Sequence, residues 1–250
     1  MPRLMLSNEL WSKLEKILLQ HAIYNKPDLR MTVEGMLYRI RCGCPWRDLP
    51  RAFGCWNTVY KRFNAWSAAG KWLKIFKALL IDPDFEWVFI DGTYVKAHQH
   101  GAGAVSQQPE AIGKSRAGNT SKIHLAVDAH GLPVDFSITG GEINDCTAAP
   151  ELIAKLPSST EVIVADKGYD SEHLRQLIEA RKARSVIPRR HTSTKGNSDM
   201  DWALYRFRHL VENAFARLKH YRAVAFRYDK LKRNYESVVA MACAYLWLPM

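Results

Sequence analysis

The sequence predicts an α/β protein, with a mixed sheet flanked by helices and an all-helical domain in front of it. Residues 1–80 carry apolar side chains at the three- and four-residue spacing of amphipathic helices. Beyond them, short runs of β-branched and aromatic residues are followed by helical patterns, which is typical of a sheet covered by helices. The stretch IDPDF at 81–85 marks the change. We therefore predict a helical domain at 1–80 and an α/β domain at 81–250.

Three helices are predicted in the N-terminal domain, and each has a side chain suited to cap its first turn: Ser7, Thr32 and Asn57. The turn-rich stretch CGCPWRDLP separates the second helix from the third, and the third carries Lys61 and Arg62 on its outer face. Two short helices around a tight turn, the second of them basic, suggest a helix-turn-helix unit that binds DNA. A plain helical bundle with a solvated basic face fits the spacing equally well.

The α/β domain is predicted to contain five strands. The stretches KIHLAVD and VDFSIT alternate apolar with polar or small residues, and the turn AHGLP between them predicts a hairpin. The predicted order is a strand in EWVFID, the hairpin, a helix over about 147–155, a strand in VIVAD, a helix from Ser171 to about Arg181, a short strand in SVIP, and helices around 202–220 and 235–248.

The chain has a net charge of +11, and the positive charge is concentrated in one region. Between Arg181 and Arg233 there are 15 Lys and Arg residues against 4 Asp and Glu residues. This distribution predicts a polyanionic partner, with nucleic acid favoured over a membrane surface. No apolar run in the sequence approaches the roughly 20 residues of a membrane span. Five scattered cysteines without a secretion signal predict a reducing, cytoplasmic location.

A long stretch poor in core-forming residues, GAGAVSQQPEAIGKSRAGN, occupies residues 101–119. Loops of this length are usually functional or disordered. Lys114 and Arg116 suit the loop to contact a phosphate backbone, although a merely mobile surface loop is equally consistent with its composition.

Two aspartates directly follow apolar runs that predict buried strands: Asp91 follows WVFI, and Asp166 follows VIVA. Burial of a carboxylate costs free energy unless a positive group meets it. The same placement at the end of two different strands therefore requires a reason.

A third acid, Glu212, lies in the helical stretch YRFRHLVENAFARLK. At about 100° per residue, Tyr205, Arg208, Glu212 and Lys219 form one narrow polar stripe that borders the apolar face of the helix. This stripe places Glu212 at the edge of the core. Taken alone, Glu212 fits a surface ion pair with Arg208, which stabilises a helix by only a few tenths of a kcal/mol.

Clustered acids raise each other's pKa unless cations neutralise them. Mg²⁺ or Mn²⁺ does so, because these ions prefer a few carboxylates together with water and phosphate oxygens. Two such ions about 4 Å apart can hold the attacking and leaving oxygens of an in-line phosphoryl displacement. A basic region beside such a site predicts an enzyme that cuts a polyanion.

The predicted order of elements, with aspartates after two strands and a glutamate on a later helix, resembles the ribonuclease-H-like fold of DDE transposases. Within these, the stretches FIDGTYVKAHQHGAGA, GNTSKIHLAVDAHGLPVDFSITGGEINDC, VADKGYD and YRFRHLVENAFARLK resemble the insertion-sequence families four and five, and family five most closely. The family signature consists of Tyr, Arg, Glu and Lys separated by two, three and six residues. Tyr205, Arg208, Glu212 and Lys219 meet it.

The N-terminal stretch CPWRDLPRAFGCWNTVYKRF also resembles the helical domain of these families, so the resemblance covers nearly the whole chain. The spacing of 46 between Asp166 and Glu212 leaves no room for the large domain inserted there in some relatives.

The resemblance implies that Asp91, Asp166 and Glu212 are catalytic and hold two Mg²⁺ or Mn²⁺ ions, with Asp91 bridging them. It implies a DNA transposase that binds the terminal inverted repeats of an insertion sequence, cuts the ends and joins the 3′-hydroxyl to target DNA. Because two ends must be brought together, a homodimer or larger assembly on DNA is expected, in a bacterial cytoplasm near the nucleoid.

Further residues are implied to contact DNA. Arg208 and Lys219 would bind phosphates or stabilise developing charge, and Tyr205 would stack on a base or brace the strand. Lys167 adjoins Asp166, where contact with DNA and a packing role are equally consistent with the sequence. Two alternatives to a transposase stay open: a metal-dependent nuclease of the same fold without strand transfer, and a DNA-binding relative that no longer cuts.

Overall fold

The structure is a computed structural model that describes residues 2–101 and 110–250. Residues 102–109 of the predicted Gly-rich loop lie outside the described residues. The chain divides into two compact units, one formed by Met1–Ile81, Ala97–Glu110 and Leu218–Met250, and the other by Asp82–Lys96 and Ala111–Arg217. The C-terminal segment thus groups with the N-terminal helices, whereas the predicted domain boundary assigned it to the α/β domain.

The first unit is a helical bundle built around its last helix. The elements are α1 (Asn8–Gln20), α2 (Leu29–Cys42), α3 (Trp56–Ala68), α4 (Lys71–Ala78), α9 (Arg222–Ala225), the short strand β7 (Phe226–Arg227) and α10 (Lys232–Trp247). Eight successive residues of α10, Ser237–Ala244, are buried, and the helix packs against α3 and α4. Burial all round is typical of the central helix of a bundle.

Side-chain caps determine the first residue of only some helices in this unit. Ser7 caps α1 as predicted, since its Oγ accepts a hydrogen bond from the Leu10 N–H at 3.2 Å. The prediction that Thr32 caps the second helix is wrong: α2 begins at Leu29, and the buried Thr32 hydroxyl accepts from the Arg62 guanidinium at 2.6 Å. The predicted Asn57 cap is also wrong, because α3 begins at Trp56.

The connection between α2 and α3 is longer than the three- to four-residue turn of a helix-turn-helix unit. It runs from Gly43 to Cys55 and contains two 3₁₀ turns, Trp46–Asp48 and Arg51–Phe53. A proline precedes each of these turns, where its fixed φ angle favours a helical start. The predicted tight turn is therefore not formed, and a DNA-binding role for this unit stays a prediction.

The second unit is a mixed sheet with helices. Its elements are β1 (Trp87–Ala97), β2 (Gly113–Ser115), β3 (Gly118–Val127), β4 (Pro133–Gly140), α5 (Asp145–Ala154), β5 (Val162–Ala165), α6 (Glu172–Ala180), β6 (Arg184–Val186), α7 (Trp202–Tyr205) and α8 (His209–Lys219). The last two residues of α8 are grouped with the first unit. Two 3₁₀ turns, Lys167–Tyr169 and Arg206–Arg208, lie after β5 and between α7 and α8.

The strand order confirms the predicted fold class. β1 pairs antiparallel with β3, which also pairs with β4 and β2, and β1 pairs parallel with β5, which pairs parallel with β6. An antiparallel hairpin is thus followed by two parallel strands that are reached through α5 and α6. This is the ribonuclease-H-like order that the sequence predicts. The centre of the sheet is apolar, since Val88–Ile90 and Ile163–Ala165 are fully buried.

One prediction about the strands is wrong. Asp91 does not end its strand, because β1 continues for six residues to Ala97. Backbone pairing with β3 sustains this extension as far as Lys96, whereas the pairing with β5 stops at Ile90. Asp166 does follow the end of its strand and caps the next 3₁₀ turn.

Candidate active site

Asp91 and Asp166 lie next to each other on adjacent parallel strands. The register pairs Ile90 with Ala165, and each aspartate is the residue that follows. Both carboxylates accept a local backbone hydrogen bond at 2.7 Å, Asp91 from the Gly92 N–H and Asp166 from the Gly168 N–H. The parallel pairing of the two strands therefore brings the two acids together, as the sequence predicts.

The environment of Asp91 disfavours its negative charge. Burial raises the pKa of Asp91, and the neighbouring carboxylates of Asp166 and Asp145 raise it further. The Gly92 N–H and the Arg208 guanidinium oppose this rise without cancelling it. A cation placed between these carboxylates would relieve their mutual repulsion.

Arg208 connects the third acid to this pair. Its guanidinium donates to Asp91 Oδ2 at 3.0 Å and also to Glu212 Oε1 one helical turn later. The side chain of Arg208 is 22% exposed, whereas that of Glu212 is 52% exposed. Tyr205 also belongs to this group. Burial raises the pKa of its hydroxyl, and the nearby charges of Arg208, Asp166 and Asp91 also affect that pKa. Lys219 lies seven residues beyond Glu212 on α8.

The predicted continuous helix around 202–220 is interrupted. Arg206–Arg208 form a 3₁₀ turn between α7 and α8. The tighter winding of a 3₁₀ turn changes the angular position of Arg208 relative to an ideal helix. Arg208 and Glu212 nevertheless remain neighbours, as the spacing predicts.

A charged network beside Asp91 was not anticipated from the sequence. The Lys122 ammonium donates to Asp145 Oδ2 at 2.7 Å, and His124 Nδ1 lies 3.4 Å from Asp145 Oδ1. The side chains of Lys122 and His124 are 4% and 1% exposed. Burial alone would raise the pKa of Asp145, but His124 and Lys122 outweigh it and hold that pKa below its ordinary value.

Asp145 and its neighbour also secure the turn that follows Asp166. The Tyr169 hydroxyl lies 3.5 Å from Asp145 Oδ1, and the Cys146 thiol donates to the Gly168 carbonyl at 3.0 Å. The start of α5 is thereby attached to the 3₁₀ turn that Asp166 caps. The sequence signal for this network is a lysine and a histidine at alternate positions in the second half of β3, KIHLAV, where the other residues are apolar.

Gly92 is required by the same network. A Cβ atom at this position would lie 2.5 Å from Asp145 Oδ1 and 2.9 Å from Lys122 Cε. The residue after Asp91 therefore has no room for a side chain unless the ion pair moves.

Replacing Asp145 by Asn should destabilise the protein by about 1–3 kcal/mol near neutral pH, because the buried Lys122 loses its partner while Asp145 itself is partly solvated. A carboxylate whose folded-state pKa is depressed stabilises the fold above its unfolded pKa and loses this effect as pH falls through the folded one. The difference between wild type and variant should therefore shrink below about pH 4. Denaturant unfolding of both proteins at a series of pH values measures this difference in the free energy of unfolding.

Asp199→Asn is the matched control for this substitution, since Asp199 is exposed and pairs with Arg189 at 2.9 Å. It should change stability by less than about 1 kcal/mol. Equal effects of the two substitutions at pH 7 would contradict the role assigned to Asp145.

A basic cavity of about 800 Å³ adjoins Asp166. Its lining includes Lys167, Arg189 and Arg190. The Arg190 side chain also donates to the carbonyls of Lys167 and Gly168, each at 3.4 Å, which places its charge at the turn next to Asp166. Arg189 and Arg190 lie in the basic region of the sequence but were not singled out there.

The remaining predicted DNA-contact residues have different surroundings. Lys114 and Arg116 are exposed in the β2–β3 hairpin, and no described contact joins them to the acids. In the first unit Lys61 is exposed, but Arg62 donates to Thr32 and forms an ion pair with Asp28 at 3.0 Å. Lys167 is exposed beside Asp166.

The donor set suits a hard divalent cation, because carboxylate oxygens are the ligands that Mg²⁺ and Mn²⁺ prefer. Within residues 2–101 and 110–250, no three His, Cys, Asp or Glu side chains are gathered closely enough to hold a metal ion. The Arg208 guanidinium lies between two of the candidate acids, since it contacts the carboxylates of both Asp91 and Glu212. The three carboxylates are chemically suited to such an ion, and Asp91 and Glu212 would each have to exchange Arg208 for the cation.

Residues 83–247 match the protein family described as "Transposase DDE domain". The chain belongs to the DDE transposase family. Its N-terminal residues 6–76 match a second family, described as "Putative transposase of IS4/5 family". Both matches confirm the resemblance found in the sequence motifs.

Relatives of this DDE transposase carry corresponding descriptions. A putative transposase for insertion sequence element IS6501 from Brucella ovis is 36% identical over 129 residues, which is 52% of this chain and 98% of that protein. A putative transposase for insertion sequence element IS402 from Burkholderia cepacia is 28% identical over 55% of this chain and 66% of its own length. A transposase for IS1106 from Neisseria meningitidis serogroup B is 34% identical over 44% of this chain and 38% of its own length.

Solved transposase structures show a looser likeness. A piggyBac transposase in a synaptic complex with hairpin DNA aligns with 76% of this chain and 50% of its own, at 11% identity and a TM-score of 0.43. The catalytic domain of Mos1 mariner transposase aligns with 74% of this chain and 86% of its own, at 9% identity and a TM-score of 0.30. Neither score adds to the family assignment. In the described part of the chain, no helix has the length and apolarity needed to cross a membrane.

Proposed function

We propose that this chain is a DNA transposase that binds the terminal inverted repeats of an insertion sequence, cuts the element ends and joins the 3′-hydroxyl to target DNA. The observation that carries the proposal is the arrangement of Asp91 and Asp166 on adjacent parallel strands, with Glu212 tied to them through Arg208. In a member of the DDE transposase family, these three acids are the best candidates for the family's catalytic carboxylates.

Asp91, Asp166 and Glu212 would hold two divalent ions, Mg²⁺ or Mn²⁺. When bound, the ions lower the pKa of the attacking water or hydroxyl and neutralise charge on the phosphate. Asp91 pairs with Leu125 of β3, directly follows the stretch of β1 that also pairs with β5, and accepts from Gly92, so its carboxylate is presented by a well-supported backbone. The turn after Asp166 is held by Asp145 and Cys146, which positions the second carboxylate.

Arg208 has two roles in this proposal. Without DNA its guanidinium neutralises Asp91 and Glu212. A phosphate entering the site offers it an alternative bidentate partner, since guanidinium groups bind phosphates in the same fork geometry as carboxylates. The transfer of Arg208 from the acids to a phosphate frees both carboxylates when the substrate arrives.

The basic cavity beside Asp166 supports a polyanionic substrate. Lys167, Arg189 and Arg190 line it together with Asp166, so a DNA backbone bound there would run past the candidate carboxylates. Arg189 is held by Asp199, and Arg190 by the carbonyls of the turn, which limits the entropy they lose on binding. Two copies of the protein are required to bring two ends together, so we propose that it acts as a homodimer or larger assembly.

Cleavage of a labelled duplex that carries the inverted repeat flanking this gene tests the proposal. We expect nicking at the element end with Mg²⁺ or Mn²⁺, and none after chelation with EDTA, because the acids alone cannot activate water. A second reaction with a supercoiled plasmid as target should yield joined products that depend on the same metal.

The two parts of this experiment separate the alternatives. Metal-dependent cleavage without joined products would identify a nuclease that lacks strand transfer. Binding of the duplex without cleavage under any divalent ion would contradict the enzyme assignment and favour a relative that only binds DNA.

A further inference from the structure

The first unit contains a cavity of about 900 Å³ that the proposed chemistry leaves unused. Its volume is in the range of pockets that bind small organic groups, about 300–1,000 Å³. The walls come from three places in the unit: the α2–α3 connection, α3, and the segment that leads into α10. The turn-rich stretch CPWRDLP supplies part of the lining.

The lining is rich in aromatic side chains: Trp46, Trp56, Tyr60 and Tyr228. Trp46 packs against Tyr60 with ring centroids 5.6 Å apart and is fixed from behind by Phe63 at 5.0 Å. Tyr228 is 50% exposed and is stacked on His98 at 5.0 Å with an interplanar angle of 26°. These contacts hold the rings in place before any ligand arrives.

The charge around the cavity is positive. The buried Arg39 pairs with the buried Asp229 at 3.2 Å, so these two lining residues cancel each other. Arg47 and Lys230 also line the cavity and are exposed, which leaves two positive charges at its surface. The Arg47 guanidinium lies 5.8 Å from the centroid of the Trp56 ring, so a cation and an aromatic face are presented together.

The wall also holds a polar group without a partner. Asn234 is 5% exposed, and its amide donates to Asn64 Oδ1 at 3.1 Å. The Asn234 Oδ1 atom has no hydrogen-bond partner among the described residues. A buried acceptor that the folded chain leaves unused is uncommon, and Asn234 Oδ1 offers an acceptor to a ligand or water in the cavity.

We propose that this cavity binds one unpaired nucleotide of DNA, with the base against the aromatic side chains and its phosphate near Arg47 and Lys230. The proposal rests on the proposed function, which makes DNA the partner. Aromatic rings stack on any base, and cations beside them bind the backbone. Bases in an intact duplex are stacked on one another, so only an unpaired or displaced nucleotide can enter.

The test compares two single strands that differ only in their bases: an oligothymidylate and an abasic oligomer of equal length. Both carry the same phosphates, so the ratio of their dissociation constants, measured by fluorescence anisotropy, isolates base stacking. We expect the wild type to bind the oligothymidylate about tenfold or more tightly, the size of one stacked base. Equal affinity for the two strands, or no binding of either, would overturn the proposal.

Variants then locate the effect. Trp56→Ala and Tyr228→Ala should bring the ratio close to one, and Trp56→Phe should preserve most of it because the ring is retained. Arg47→Ala should weaken both strands alike. Tyr24→Ala is the matched control, since Tyr24 is an 82% exposed tyrosine of the same unit outside this cavity. An unchanged ratio in both alanine variants of the cavity would assign stacking to another site and overturn the proposal.

A covalent crosslink to the wild-type protein tests the same proposal without depending on whether the variants fold. Photo-crosslinking of the wild type to a strand that contains 5-iodouracil should attach the base to Trp56 or Tyr228, identified by peptide mass spectrometry, and attachment only elsewhere would contradict the proposal. The cleavage assay on paired element ends runs in parallel. If the protein cleaves element ends but binds both strands equally, the nucleotide site in this cavity is refuted and the transposase function is not. If it prefers the oligothymidylate through Trp56 but cleaves no element end, the transposase function is refuted and the nucleotide site is not.

Discussion

Asp166→Asn and Glu212→Gln are each expected to lower metal-dependent cleavage of the element end by at least about 100-fold, while the protein stays folded and binds DNA. Loss of a group that orients a metal costs about 10–100-fold, and loss of a ligand should cost no less. Glu212 is 52% exposed, so its replacement should change the free energy of unfolding by less than about 0.5 kcal/mol. Initial rates of nicking, together with denaturant unfolding, measure both quantities.

Glu212→Gln decides between two explanations of the same contact. If Glu212 is only a surface partner of Arg208 at i,i+4, its loss should have little effect on cleavage. Glu151→Gln provides the comparison, because Glu151 forms an exposed i,i+4 pair with Lys155 at 2.8 Å and lies outside the candidate site. Equal rates for the two glutamine variants would remove Glu212 from the proposed metal site.

Asp229→Asn should destabilise the protein by about 3–5 kcal/mol, which is the usual cost of leaving one member of a buried ion pair without its partner. The Asp229 and Arg39 side chains are 6% and 5% exposed, and both oxygens of Asp229 accept from Arg39. The Arg39 guanidinium, which lies 5.1 Å from the centroid of the Trp46 ring, would keep its charge in a dry environment. Guanidinium chloride unfolding at constant m-value gives the loss directly.

Two further variants make this prediction specific to burial. Asp28→Asn removes a carboxylate from the pair with Arg62, but Asp28 is 56% exposed, so we expect a loss of less than about 1 kcal/mol. The double replacement Arg39→Met with Asp229→Leu should be more stable than Asp229→Asn alone, because it removes both charges. A double variant less stable than the single one would contradict this explanation.

Most of the fold could be predicted because strand and helix periods are local properties of the sequence. The hairpin of β3 and β4 and the buried strand β5 appear where alternation and apolar runs place them. The length of β1 could not be predicted, since Asp91–Lys96 are extended only because β3 pairs with them. The Thr32 cap failed for a similar reason, because its hydroxyl is bonded to a distant arginine.

The candidate site was predictable in part. Asp91 and Asp166 can be recognised in the sequence because each is an acid directly after an apolar run. Glu212 was indicated only through resemblance to a family, since its spacing also fits a surface ion pair. Lys122 and His124 were missed because polar residues that alternate along a strand normally face water. Here α5 packs on β3 and supplies Asp145, which allows those side chains to be buried.

The position of Asp91 directly after the part of β1 that is paired on both sides has a consequence for how the site assembles. Exchange of backbone amides with solvent requires local opening, and amides in the centre of a sheet open last. We therefore expect slow exchange for the amides of β5 and of Val88–Ile90, the residues that precede Asp166 and Asp91. Glu212 is exposed on its helix, and Arg208 contacts both Glu212 and Asp91. The backbone positions of Asp91 and Asp166 are therefore set when the chain folds, and we expect that rotation of side chains alone then frees Asp91 and Glu212 from Arg208.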